Sequence, residues 1–153
     1  MSELERIADQ LRRAVEGEAF HGPALKEILQ DVTAKQAMQR PLGQAHTIWE
    51  ITQHIAGWQG EITNRLKGQT AKTLPPEENF PASKNANEAT WRTTLEQLER
   101  SYQELAAAIR QFPESRLDDI VPGRDYKFYV LLHGIVQHDL YHAGQIALLK
   151  KAG

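Results

Sequence analysis

The chain has 153 residues, 41% of them hydrophobic, which is enough for a single domain over residues 1–153 to form a core without disulfides or a structural metal. A net charge of −2, with no basic run longer than a pair, argues against nucleic-acid or membrane-surface binding through a basic face. The absence of cysteine excludes thiolate metal sites, cysteine nucleophiles and disulfides. No signal-peptide core and no apolar run of about 20 residues is present, so we expect a cytoplasmic protein that does not insert into membranes.

Apolar residues recur at helical spacing from the N-terminus onward. The first predicted helix carries Leu4, Ile7 and Leu11 on one face, and the segment GEAFHGP ends it. A short helix is predicted from Pro23 to about Val32, because proline is favourable in the first turn of a helix.

The second long helix is predicted to begin within the sequence TIWE. Thr47 and Glu50 have the spacing of a capping box, in which each side chain binds the backbone N–H of the other residue. The apolar residues of this helix are Ile48, Ile51, Ile55, Trp58, Ile62 and Leu66. The next segment, residues 67–87, contains three prolines and is interpreted as a surface connection.

Two further long helices are predicted after this connection. The first has apolar residues at alternating steps of four and three: Trp91, Leu95, Leu98, Tyr102, Leu105, Ile109 and Phe112. The second is expected to have Asp125 as its N-cap and to run to about Lys150. Four long helices without a convincing strand predict an all-α four-helix bundle with short extra helical segments in its connections.

The last helix places two histidines on its predicted inward face. That face consists of Phe128, Leu131, Ile135, His138, His142, Ile146 and Leu149. His138 and His142 are four residues apart, so their rings lie one turn apart and are offset by about 40°. A buried imidazole is costly unless it has a partner. A shared divalent metal would supply one, and so would hydrogen bonds to backbone carbonyls or to Gln145.

His54 is a candidate third ligand, because it lies at the edge of the apolar face of the second long helix. Two ligands from one helix and a third from its neighbour would leave one coordination position open, as in catalytic sites. Neutral imidazoles suit Zn, Ni, Fe or Cu, and the spacing does not choose among these metals.

Other metal and cofactor sites fit the sequence less well. A zinc-protease helix requires glutamate directly after the first histidine, where this chain has Asp139 with its shorter side chain. A di-iron bundle requires matching carboxylates in the last helix, and these are missing. A c-type haem requires cysteine.

Glu50, one turn before His54, is a candidate general base, although its capping role competes with this one. The remaining histidines, His21, His46 and His133, are interpreted as structural or solvent-exposed residues.

The segments TIWEITQHIAGW and HGIVQHDLYHAGQIALLKK together resemble the DinB-like superfamily, which includes the YfiT-type metal-dependent hydrolases. The resemblance covers most of the chain. It implies a four-helix bundle with up-down-down-up topology and a divalent metal held by His54, His138 and His142. Members of the superfamily often form homodimers.

The same resemblance implies a metal-dependent hydrolase, or a thiol transferase that uses an external low-molecular-weight thiol and acts on a small molecule. Zn, Ni or Fe is the expected ion, and Glu50 is the expected proton acceptor. The alternatives are a non-catalytic, metal-stabilised bundle and an interaction protein whose histidines are merely packed. No nucleic-acid partner is expected.

Overall fold

A computed structural model describes residues 1–153 and confirms the all-α fold, with four long helices and short helical segments in the connections. The helices are α1 (Glu3–Val15), α2 (Leu25–Leu29), α3 (Ala34–Ala37), α4 (Ile48–Leu66), α5 (Pro76–Asn79), α6 (Glu88–Gln111) and α7 (Phe128–Ala152), with a 3₁₀ turn at Glu114–Arg116. None of these helices combines the length and the apolar character that a membrane span requires.

The two middle long helices run parallel to each other. Near their N-terminal ends the Trp49 and Trp91 ring centroids are 5.1 Å apart. Further along both helices, the Ser101 hydroxyl donates to Gln59 Oε1 at 2.8 Å. The residue offset is the same at both contacts, so α4 and α6 keep one direction, and residues 67–87 must return the chain along the bundle between them.

The outer long helices complete the up-down-down-up order. The start of α1 meets the end of α6, where the Glu3 N–H donates to Glu114 at 3.2 Å. It also meets the first third of α7, where Glu3 bonds to His133 at 3.0 Å. Helix α1 is therefore antiparallel to α6 and parallel to α7, which confirms the predicted topology.

The helix ends confirm one predicted cap and correct two other predictions about where helices begin. Thr47 Oγ1 accepts from the Glu50 N–H at 3.1 Å, and Glu50 Oε2 accepts from the Thr47 N–H at 3.0 Å, so the capping box is present. Asp125 is not the N-cap of α7, because that helix starts at Phe128, after Lys127, with no side-chain cap. Pro23 precedes α2 rather than lying in its first turn.

The buried interior consists of two hydrophobic clusters separated by a polar layer. The first contains 18 buried residues around α1 and the start of α7, and the second contains 16 around α2, α3 and the start of α4. Along α4 the clusters change between Ala56 and Ile62. The buried side chains of Gln59, Ser101 and Asp139 occupy this boundary, and we call them the polar layer.

The inward face of α7 is wider than the predicted one, because Leu132 and Ala143 are also buried, and it differs at position 138. Ile135, His142 and Ile146 are buried as expected, but the fully buried residue between them is Asp139 rather than His138. His138 lies beside the inward face, and its side chain is 24% exposed. Alternating steps of three and four from Phe128 lead through Leu131 and Ile135 to His138, whereas the buried face takes a second successive step of four from Ile135 to Asp139.

Candidate metal centre

Three histidines from two antiparallel helices lie together at the polar layer. His54 comes from α4, and His138 and His142 come from α7. One ring nitrogen of each lies within 4.8 Å of the others, and no other group of histidines or carboxylates in the chain meets the same criterion. His54 and His142 are only 5% and 7% exposed, whereas His138 reaches the surface. The structure therefore brings the three predicted ligands together.

The ring of His54 is held in a defined orientation. Its Nδ1–H donates to the backbone carbonyl of Asn79 in α5 at 2.7 Å. A carbonyl can only accept, so the hydrogen must lie on Nδ1, and Nε2 of the neutral ring carries a lone pair. The Asn79 side chain also accepts from the Trp58 indole N–H at 3.0 Å, which places Trp58 beside the ring.

The two α7 histidines are oriented in the same way. His138 Nδ1 lies 3.2 Å from Asp139 Oδ1, and His142 Nδ1 lies 2.7 Å from Gln145 Oε1. Each of the three rings thus has an oxygen partner at Nδ1, which leaves Nε2 uncommitted. In metal sites, the second ring nitrogen of a ligand histidine is generally hydrogen-bonded in this way.

The remaining ring nitrogens face each other across a short gap. The Nε2 atoms of His54 and His138 are 3.0 Å apart, and two lone pairs at this distance repel unless a proton or a cation lies between them. A proton bridges only two nitrogens, whereas a metal ion can bind all three. Ligands about 2.0–2.1 Å from one ion are about 3 Å apart, so the donor set fits a divalent metal.

Burial favours the neutral form of His54 and His142, which is the state that binds a metal. Desolvation lowers the pKa of His54 to about 4, although its bond to Asn79 opposes the shift. Desolvation also lowers the pKa of His142, against the effect of its bond to Gln145. Both rings are therefore available as neutral ligands at pH 7.

Comparison with known proteins agrees with this geometry. The family model of the DinB superfamily matches residues 20–146, which is well over half of the chain. The chain belongs to the DinB superfamily. No curated protein and no solved structure matches it.

A buried carboxylate supports His138 in this DinB-superfamily protein. Asp139 Oδ2 accepts from the Gln59 side-chain amide at 2.8 Å, and Gln59 Oε1 in turn accepts from Ser101, so the polar layer links α7, α4 and α6. Burial raises the pKa of Asp139, while its bonds to His138 and Gln59 lower it. A carboxylate bonded to a ligand histidine fixes the ring and increases its basicity toward a metal.

Aromatic stacking closes one side of the centre. The Phe80 ring stacks on His54 with centroids 4.0 Å apart, and its other face stacks on His46 at 3.7 Å. His46 was expected to be a structural or exposed loop residue, and its side chain is 48% exposed. The connection after α4, which carries Phe80, and the loop before α4, which carries His46, therefore meet beside His54.

Glu50 is not part of the histidine cluster. Its carboxylate accepts from Arg40, from His46 at 3.1 Å and from the Thr47 N–H at 3.0 Å. Partial burial acts to raise the pKa of Glu50, but these three hydrogen bonds together lower it. The structure therefore shows the capping role of Glu50, and most of its acceptor capacity is already in use.

Several residues around the centre were not predicted from the sequence. Asp139 was judged only as a replacement for a protease glutamate, and Gln59 was not singled out. Asn79 and Phe80 lie in the segment that was interpreted as a surface connection. The Pro75–Pro76 pair before two glutamates is a helix-start signal that predicts α5. No sequence pattern, however, indicates that the carbonyl of Asn79 would reach a histidine.

Proposed function

We propose that this protein is a metal-dependent enzyme that acts on a small molecule, by hydrolysis or by transfer of an external low-molecular-weight thiol. One observation carries the proposal. Three imidazoles have their Nδ1 atoms beside oxygen partners, and one ring nitrogen of each lies within 4.8 Å of the others. That arrangement suits Zn, Ni or Fe, and three protein ligands leave a coordination position open, as catalytic sites require.

The protein's own residues would hold, orient and shield the ion. His54, His138 and His142 would be its ligands, and a divalent ion bound there supplies Lewis acidity that lowers the pKa of a water or thiol. The carbonyl of Asn79 keeps the His54 ring from rotating, and the side chain of Gln145 does the same for His142, since each hydrogen bond is 2.7 Å long. These contacts fix the rings before any substrate arrives.

The proposed role of Glu50 as proton acceptor has less support than the metal site. Its carboxylate is bonded to Arg40, His46 and Thr47, and a lowered pKa makes a carboxylate a weaker base near neutral pH. If Glu50 accepts a proton during turnover, Glu50→Gln should lower kcat under conditions in which the variant stays folded.

A second candidate function is a structural metal that stabilises the bundle. The observation that favours it is the position of the centre, which bridges α4 and α7 at the boundary between the two hydrophobic clusters. A structural ion normally has four protein ligands, whereas this cluster offers three. The open position therefore distinguishes the two candidates.

Metal content is the first test. After expression in medium that contains Zn, Ni and Fe, we expect about one ion per chain in the wild type and a large loss in His54→Ala and His142→Ala. His133→Ala is a matched control, because His133 lies on α7 but bonds to Glu3 at 3.0 Å. Wild-type protein without stoichiometric metal would contradict both the enzymatic and the structural candidates, and would favour packed histidines.

Access to the ion is the second test. The protein is loaded with Co or Ni and titrated with 2-mercaptoethanol while its absorption spectrum is recorded. A saturable sulfur-to-metal charge-transfer band is expected if a coordination position is open. A fully loaded protein whose spectrum does not change would support the structural candidate instead.

A further inference from the structure

An apolar pocket adjoins the histidine cluster. Its volume is about 250 Å³, and six of the eight residues that line it are hydrophobic. His138 belongs both to this lining and to the cluster, so the pocket and the candidate metal position share one side chain. Val130 also lines the pocket and is 52% exposed, so a small molecule can reach it from solvent.

The walls of the pocket contain no free charged group. Trp58, Ile62 and Ile135 contribute apolar surface, and His138 is the only ionisable side chain in the lining besides Tyr126. The Tyr126 hydroxyl is neutral and accepts a hydrogen bond from Arg65 Nη1 at 2.9 Å. A ligand that needs a counter-charge for a carboxylate or phosphate would find none here.

A buried ion pair contacts the lining of the pocket. Arg65 is fully buried, bonds to Glu61 at 3.1 Å and lies with its guanidinium 5.4 Å from the centre of the Trp58 ring. It therefore restrains two of the lining residues, Tyr126 and Trp58. A wall that is fixed in this way is typical of a pre-formed ligand site.

We propose that this pocket binds the apolar, uncharged part of the substrate, a short aliphatic chain or a single aromatic ring, while the reacting group lies at the metal. The inference rests on the proposed function, since His138 is the shared element. Small-molecule sites usually have volumes of about 300–1,000 Å³, so a pocket of about 250 Å³ suits a fragment of that size and not a peptide or a helix. The substrate class is thus a small, apolar molecule with one polar reacting group.

Gly134 offers a way to fill the pocket without disturbing the fold. It lines the pocket, and a Cβ atom added to it would have no other atom within 4 Å. Leucine also favours a helix more than glycine does. Gly144→Leu is the matched control, because Gly144 lies on the same helix, has equally free space and does not line the pocket.

The test uses alkyl hydroxamates, which bind a metal through the head group and carry a tail of chosen length. Affinities of acetohydroxamate and hexanohydroxamate for the metal-loaded protein are measured by calorimetry. Each buried methylene should tighten binding about threefold to fourfold, so the two probes should differ on the order of 100-fold. Gly134→Leu should reduce this ratio to less than about tenfold and leave acetohydroxamate binding unchanged, whereas Gly144→Leu should keep the full ratio.

The outcomes separate this inference from the proposed function. A metal-loaded protein that binds both probes equally, or a ratio that Gly134→Leu does not reduce, would overturn the pocket assignment and leave the metal centre intact. A change of oligomeric state in Gly134→Leu alone, measured by sedimentation, would instead assign the pocket to contact with a second copy. Hexanamide carries the tail without a chelating head. If no metal binds, hexanamide binding that Gly134→Leu abolishes would still support the pocket, and its absence would overturn it.

Discussion

Two groups of buried polar side chains involve α4, and they differ in how completely their hydrogen bonds are formed. Glu61 and Arg65 form an ion pair at 3.1 Å, and the remaining hydrogen-bonding atoms of Arg65 contact Tyr126 and the carbonyl of Lys72. The histidine cluster also has bonded Nδ1 atoms, but its Nε2 atoms face one another.

This difference separates a structural polar group from a functional one. Buried charges stabilise a fold only when hydrogen bonds accompany the ion pair, and each side-chain nitrogen of Arg65 has a partner, as does Glu61 Oε1. The Nε2 atoms of His54 and His138 instead face each other at 3.0 Å, an arrangement that a bound cation would stabilise. The ion pair should therefore control folding, and the histidine cluster should control binding.

The largest expected effect is the loss of the buried arginine. Arg65→Met leaves the Glu61 carboxylate, only 7% exposed, without its partner, so we expect the free energy of unfolding to fall by about 3–5 kcal/mol. Urea denaturation measures this change. The double variant Glu61→Gln/Arg65→Met should recover part of the loss, and the folded fraction of either variant should still bind one metal ion. Equal stabilities of the single and double variants would contradict the role of the ion pair.

A smaller effect, on binding rather than folding, is expected for the polar layer. Asp139→Asn removes the charge next to His138, and we expect the affinity for metal to fall about 10–100-fold, as is usual for partners of ligand histidines. Stability should change little, because rotation of the Gln59 amide lets it accept from the new Asn side chain and donate to Ser101. Competition with a chromophoric chelator measures the affinity. Unchanged affinity in a folded variant would show that Asp139 is only a packing element.

The smallest expected effect concerns pH. Burial lowers the pKa of His54 from 6.5 to about 4, so the unfolded chain binds a proton that the folded chain does not bind between these values. The free energy of unfolding of the metal-free protein should therefore decrease as the pH falls from about 6.5 to about 4. The raised pKa of Asp139 acts in the opposite direction, because the folded carboxyl takes up its proton at a higher pH than the unfolded one.

The comparison with His54→Gln isolates the contribution of His54 to this dependence. Denaturation of both metal-free proteins is measured at intervals from pH 7 to pH 4.5. The wild type should lose more stability than the variant on acidification. Parallel curves would mean that the buried position of His54 has no effect on its protonation.

Much of the fold follows from local patterns in the sequence. The spacing of apolar residues predicted all four long helices, and the Thr47–Glu50 capping box predicted the first residue of α4. The three histidines were predicted because polar residues on an apolar face require a partner. These features depend on residues within one or two helical turns, which is why one sequence is sufficient to find them.

The features that were missed depend on contacts between distant parts of the chain. Asp139 and Gln59 are 80 positions apart, and the carbonyl of Asn79 belongs to a segment with no apolar periodicity. The assignment of His138 to the inward face was wrong because alternating steps of three and four lead from Ile135 to His138, whereas the buried face continues with a second step of four to Asp139. The spacing of apolar residues alone does not choose between these two adjacent positions.

The parallel arrangement of α4 and α6 has a consequence for how new specificities can arise. The chain must travel back along the 19-residue helix α4, about 28 Å, before α6 can start, and on this return it supplies Asn79 and Phe80 to the histidine cluster. The three histidines themselves lie on two long helices. Substitutions or insertions in the returning segment can therefore change the shape and polarity of the entrance while the histidines stay in place, because connections tolerate change better than the helices they join. The topology thus separates the part of the site that can diverge from the part that must be kept.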